Sequence, residues 1–230
     1  YEGGYSVDMI SAFKESAMKK LQEIKKEICQ KNKRNFDIEC VAEMGFPFDV
    51  INTVAQEQKA DLIVVGIIGE AGTLKEHLIG STAIKIARNQ DIPTFIIPEN
   101  IKYRRIHKLA FACDFKKTEE TDLIYIAKYF AKIFDAKLEI VNVKQPKEEV
   151  TVETAKTNLF IEAKLENVNH KTIHLTGEDV ALELEDYLSS NMIDAVLINP
   201  KKHNLFYYLF NSSVTKKLAF HAALPIITIH

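Results

Sequence analysis

Between Ser6 and Asn32, apolar residues recur three or four apart. Ile10, Phe13, Ala17, Leu21, Ile24 and Ile28 form one stripe, which predicts a long amphipathic helix. Ser6 can cap it, and Asp8 suits the positive end of its dipole. The lysines around the stripe read as a solvated face. Ile38 to Met44 is predicted to be a short strand. Gly45-Phe46-Pro47 then turns the chain into a second helix, with Pro47 near its first turn. Leu62-Ile63-Val64-Val65 is a continuous apolar run of strand length, the kind found in strands buried on both faces. Thr82 to Asn89 reads as helix, and Pro93 to Pro98 as another buried strand.

The alternation starts again after residue 105. Leu109 to Cys113 reads as strand, and Leu123, Ala127, Phe130 and Phe134 mark a helix face. Leu138 to Val143 is a strand, Thr151 to Asn167 a helix and Lys171 to Leu175 a strand. Val180, Leu184, Tyr187 and Leu188 mark a further helix; Ala195 to Ile198 and Pro225 to Ile229 read as buried strands. Strands alternating with helices imply βαβ units and a mostly parallel sheet covered on both sides, an open doubly wound α/β fold.

The two halves overlay. Asp61-Leu62-Ile63-Val64-Val65 matches Asp194-Ala195-Val196-Leu197-Ile198, and Ser81 to Pro93 matches Ser213 to Pro225 with one residue fewer between the blocks. This predicts two repeats, residues 1–101 and 102–230, packed about a pseudo-two-fold axis. The strand, helix and strand between Ile106 and Val143 have no counterpart before Ser6. A doubly wound sheet without them would leave a central strand unpaired. A preceding segment of on the order of 40 residues, one βαβ unit, is therefore expected.

Composition narrows the function classes. Of the 230 residues 47% are hydrophobic and 27% charged, which supports a packed core rather than disorder. A formal net charge of -2 gives no general attraction to nucleic acid or anionic membrane, and neither is an expected partner. Cys29, Cys40 and Cys113 are far apart with no C-x-x-C pair, which suits a reducing cytoplasm better than a disulfide framework or zinc site. No apolar run approaches the ~20 residues that span a bilayer.

The stretch Val65-Gly66-Ile67-Ile68-Gly69, running on to Gly80-Ser81-Thr82, carries the candidate chemistry. It leaves a predicted buried strand and enters a predicted helix, and open α/β sheets bind ligands outside the carboxyl ends of their strands. Gly66 and Gly69 allow close approach of backbone to a ligand. Gly80 and Ser81 open a helix, where free N–H groups attract phosphate, and Ser81 or Thr82 can add a hydroxyl. Alternatively, the glycines serve only turns and Ser81 only caps the helix.

These residues resemble the nucleotide signature of the universal stress protein family. The family pattern is Gly, two residues, Gly, nine residues, Gly, then Ser or Thr; here ten residues separate Gly69 from Gly80. Asp61 to Gly66, Gly45-Phe46-Pro47 and the Pro93 to Pro98 strand also look like family features. The resemblance covers both halves and implies a tandem form of the adenine nucleotide alpha hydrolase-like fold. It implies ATP as cofactor, with Mg2+ as a further expectation, phosphates and ribose on the Val65–Thr82 loop, and adenine at the end of a first strand. It also implies pairing of Pro93–Pro98 with Pro225–Ile229 across the shared axis. A homodimer is compatible with this and not required.

In the second half Asn199, Lys202 and Ser212 stand where the signature has glycines, so that repeat is expected not to bind nucleotide. Asp114 matches the family's acidic first-strand position. Lys201, Lys202 and His203 read as a solvated run, and Phe206 to Phe210 as packing or a partner contact. No zinc site is expected of the seven histidines, and G-x-S-x-G and G-x-x-x-x-G-K-[ST] motifs are missing. No general base or nucleophile emerges, which favours nucleotide binding or signalling over efficient catalysis and leaves slow ATP hydrolysis open. The competing expectation is a nucleotide-free assembly scaffold of the same fold.

Overall fold

The computed structural model describes residues 7–32, 37–67, 81–89, 91–98, 101–102, 104–113, 123–146, 152–200 and 224–230. The chain forms two compact units, Tyr1–Gln58 and Lys59–His230.

The first unit holds helices α1 (Val7–Lys31) and α2 (Pro47–Glu57). Asp8 in the first turn of α1 and Lys31 in its last complement the helix dipole. The predicted apolar stripe is only partly covered: Ile10 and Leu21 are half-buried, while Phe13 is 59% and Ile24 52% exposed. The reason lies with two lysines expected to be solvated. Lys14 Nζ donates to Glu43 Oε2 at 2.7 Å, and Lys25 Nζ donates to the Ile38 carbonyl. Lys14 and Lys25 are about three turns apart and share a flank of α1. They draw the following segment to that flank rather than to the stripe.

That segment corrects a second expectation, because Ile38–Met44 is not a strand. Burial still alternates along it, with Ile38, Cys40 and Ala42 half-buried and Glu39, Val41 and Glu43 exposed. The pattern is that of a strand, but among the described residues no ladder partner satisfies its backbone. Gly45 then turns the chain with φ +155°, and a Cβ there would sit 2.8 Å from Val50 Cγ2. Pro47 begins α2, where its missing N–H costs nothing.

The second unit is a seven-stranded sheet with order β1-β2-β7-β6-β3-β4-β5. The strands are β1 (Ile63–Ile67), β2 (Thr94–Pro98), β3 (Lys108–Ala112), β4 (Lys137–Lys144), β5 (His170–Thr176), β6 (Ala195–Ile198) and β7 (Ile226–Thr228). Helices α3 (Ser81–Asn89), α4 (Leu123–Phe134), α5 (Val152–Lys164) and α6 (Val180–Ser190) accompany them. All neighbours are parallel except β2 and β7, which run antiparallel with Thr94 opposite Thr228, Phe95 opposite Ile227 and Ile96 opposite Ile226.

Both faces are covered, as continuous apolar strands require. On one, Ala87 of α3 and Leu184 and Leu188 of α6 pack with Ile96, Val196 and Ile226. On the other, Ile124 and Phe130 of α4 and Ile161 of α5 pack with Phe111, Ile140, Leu197 and Ile227. Burying one such large side chain contributes about 1.5–3 kcal/mol. β1 departs from the two-faced burial expected of it: Ile63 is buried, yet Val64 is 56% exposed. Among the described residues β1 pairs only with β2 and stands at the edge of the sheet they form.

Candidate functional site

The chain passes from β3 outward to β4 and β5, then returns to lay β6 on the other side of β3. The carboxyl ends of β3 and β6 thus flank a topological switch point, where open α/β sheets leave a crevice. A second strand end, that of β1, leads toward α3.

At the end of β1, Val65 is half-buried and Gly66 exposed, opposite Ile96 and Ile97 of β2. A Cβ on Gly66 would meet nothing within 4 Å among the described residues. Among the described residues, backbone here has no neighbour on its Cβ side. The connection re-emerges as α3 at Ser81, with Thr82 half-buried in its first turn. On its inner side Ala83, Ile86 and Ala87 are buried, which anchors the helix on the sheet. Of the expected site residues, Val65, Gly66, Ser81 and Thr82 are thus at the ends of β1 and α3, while Gly69 and Gly80 lie outside the described residues.

At the switch point the ends of the strands are polar and closely packed. The Cys113 N–H donates to the Val141 carbonyl at 3.0 Å, and Asn142 Nδ2 donates to the Cys113 carbonyl at 3.0 Å. Asn142 Oδ1 is buried and has no hydrogen-bond partner among the described residues. Asn199, at the position of the first signature glycine, is 6% exposed, so its side chain fills space that a glycine would leave empty. Asp114, the 201–203 run, Phe206–Phe210 and Ser212 lie outside the described residues.

Two residues in β4 escaped the sequence reading. Asn142 and Glu139 are polar positions inside an apolar run, and that interruption was the available signal. Glu139 is 1% exposed and is met by Lys171 of β5, Lys137 and Tyr187 of α6. Its charge is answered by cations and a hydroxyl, the usual condition for a buried carboxylate. This cluster lies toward the amino ends of β4 and β5, away from the switch point, and serves as a clamp rather than a reaction centre. Among the described residues no group of three or more His, Cys, Asp or Glu is placed to hold a metal ion, and no helix is long and apolar enough to cross a membrane.

Comparison with known proteins gives the fold, and a family match over part of the chain. No curated protein matches the sequence. A universal stress protein from Archaeoglobus fulgidus DSM 4304 is similar with a TM-score of 0.68 at 15% identity, over 99% of this chain and 80% of that one. The functionally unknown protein PA1789 from Pseudomonas aeruginosa PAO1 is similar with a TM-score of 0.62 at 12% identity, over 91% of this chain and 76% of that one. At these identities the likeness is one of fold. A shorter universal stress protein from Archaeoglobus fulgidus, solved in complex with dAMP, has a TM-score of 0.37 at 14% identity, over 55% of this chain and 100% of that one. In sequence, residues 3–98 match the universal stress protein family. That sequence match covers residues 3–98 of the 230, and over the whole chain the likeness to universal stress proteins is one of fold.

Proposed function

We propose that the chain binds an adenine nucleotide, ATP in the first instance, on the connection from Val65 to Thr82, and that its second half serves the fold. The observation that carries this reading is that no described residue stands within 4 Å of a Cβ added at Gly66, at the carboxyl end of β1. The connection continues through Gly69 and Gly80 to the first turn of α3 at Ser81. Free N–H groups at a helix start, glycine backbone on the approach and the hydroxyls of Ser81 and Thr82 together suit a phosphate. Mg2+ would accompany the phosphates rather than sit in a site of the protein's own. In the second half the packed Asn199 side chain stands against an equivalent cradle.

In this reading the repeats meet through β2 and β7 about a pseudo-two-fold axis. The sparse cysteines, Cys29, Cys40 and Cys113, fit work in a reducing cytoplasm. The activity is nucleotide-dependent signalling, with no base or nucleophile assigned to hydrolysis.

Calorimetry with ATP on the full chain tests it. Binding heat and a rise in Tm are expected, and Gly80→Val should remove both while leaving the far-ultraviolet spectrum unchanged. Absence of heat and of thermal stabilisation in excess ATP would leave the nucleotide-free scaffold as the reading.

A further inference from the structure

A cavity of about 410 Å3 lies between β2, the end of α4, the entry to β7 and the segment leading into β3. It falls within the range of about 300–1,000 Å3 typical of small-molecule sites. Its wall is apolar, with Phe95 and Ile97 from β2, Ile133 and Phe134 from α4, and Ile106 before β3. Phe95 and Phe134 meet with ring centroids 6.2 Å apart and form a fixed floor.

Four charged residues share the lining: Arg104, Arg105, Asp135 and Asp194. The two acids differ. Asp194 is 13% exposed, and its Oδ2 accepts from the backbone N–H groups of His107 at 2.9 Å and Lys108 at 3.0 Å. It is locked in place and holds Arg104 through Nε at 3.3 Å. Because two amides already answer its charge, Arg104 is positioned by Asp194 without being neutralised by it alone. Asp135 is 85% exposed and meets Arg105 at 2.6 Å. An exposed pair of this kind contributes only about 0–1 kcal/mol, so Arg105 can exchange Asp135 for another anion at little cost. Each guanidinium carries five donors, more than one carboxylate contact uses.

We propose that this cavity binds a small amphipathic carboxylate, its apolar body on the Phe95–Phe134 floor and its carboxylate on Arg104 and Arg105. The site is separate from the loop assigned to nucleotide, so it stands whether or not that loop binds ATP. Nothing is transferred or oxidised there; the ligand acts by occupancy, bracing the segment that joins β2 to β3.

The test uses decanoate as probe against the full chain, followed by calorimetry and by methyl NMR of the isoleucines. Saturable binding with shifts at Ile97, Ile106 and Ile133 is expected. Decan-1-ol, with the same apolar body and no charge, should bind about tenfold or more weakly, as should decanoate to the Arg104→Met, Arg105→Met double variant. Ile133→Glu offers a second variant at a wall position that is 56% exposed, where the change leaves the core intact. Its added negative charge should repel decanoate to a similar degree. Decanoate that fails to bind, or that binds the folded variants as it binds the parent, overturns the proposal. Gly80→Val should bind decanoate normally; loss of binding there would put the ligand on the nucleotide loop instead and overturn the assignment.

Discussion

The Tyr187 hydroxyl donates to Glu139 Oε2 at 2.7 Å, reaching from α6 to a carboxylate buried in β4. Lys171 holds the other oxygen at 3.2 Å. Tyr187→Phe leaves that carboxylate short of a donor where water cannot replace it. A loss of about 1–3 kcal/mol in urea unfolding is expected. Combined with Glu139→Gln, the cost should fall well short of the sum, since both changes dismantle one interaction. Strict additivity would show that the two groups are not coupled.

The same cluster sets a response to alkali. Burial, and then the bond to Glu139, push the Tyr187 phenol above its ordinary 10.0; the bond to Tyr187, and then Glu139, push Lys171 above its ordinary 10.5. For both groups the fold favours the protonated form. Their contribution is therefore complete below the unfolded values and is lost as pH rises through the higher folded ones. Tm should hold steady to about pH 10 and then drop, and the drop should be shallower in Tyr187→Phe. An equally steep drop in that variant would assign it to other groups.

Gly66→Ala separates a ligand role from a structural one. The added methyl meets no described neighbour, so stability should change by no more than about 0.5 kcal/mol. If backbone at this point lies against phosphate or ribose, ATP affinity should fall about tenfold or more. A melt lowered by several degrees with affinity intact would mean that the glycine serves the chain path alone.

Asp194→Ala deprives the His107 and Lys108 amides of their acceptor and Arg104 of its partner. A cost of about 1–3 kcal/mol is expected, with faster hydrogen exchange at residues 107 and 108. Asp194→Asn keeps one oxygen and should recover part of the loss. Unchanged exchange in the alanine variant would show that water takes over the acceptor role.

Periodicity alone located most of the second unit. The apolar run 195–198 coincides with β6, and the stripe through Leu123, Ala127 and Phe130 lies buried on α4. Failures came where a neighbour decides the outcome. Ile38–Met44 has the alternation of a strand, but a strand exists only with a ladder partner, and partners are not written in a local pattern. Val64 sits in an apolar run yet is exposed, because burial on two faces depends on what flanks β1. In the candidate site, the helix start at Ser81 was legible beforehand. Asn142 and Glu139 were not recognised, since a polar side chain in a strand reads as solvent-facing until packing shows it enclosed. The Arg104–Asp194 arrangement joins residues distant in sequence, and only tertiary structure reveals it.

The antiparallel seam between β2 and β7 has a consequence for how the sheet assembles. Thr94 and Thr228, its first register pair, are 134 residues apart in the chain. Closing so long a loop costs entropy before any contact repays it, and such pairings form slowly. β7 is also what joins β2 to β6, so without it the sheet falls into two pieces. During synthesis β2 must therefore wait, with one edge unpaired, until β7 has left the ribosome. An unpaired strand edge of that kind is prone to pair with other molecules until it is covered.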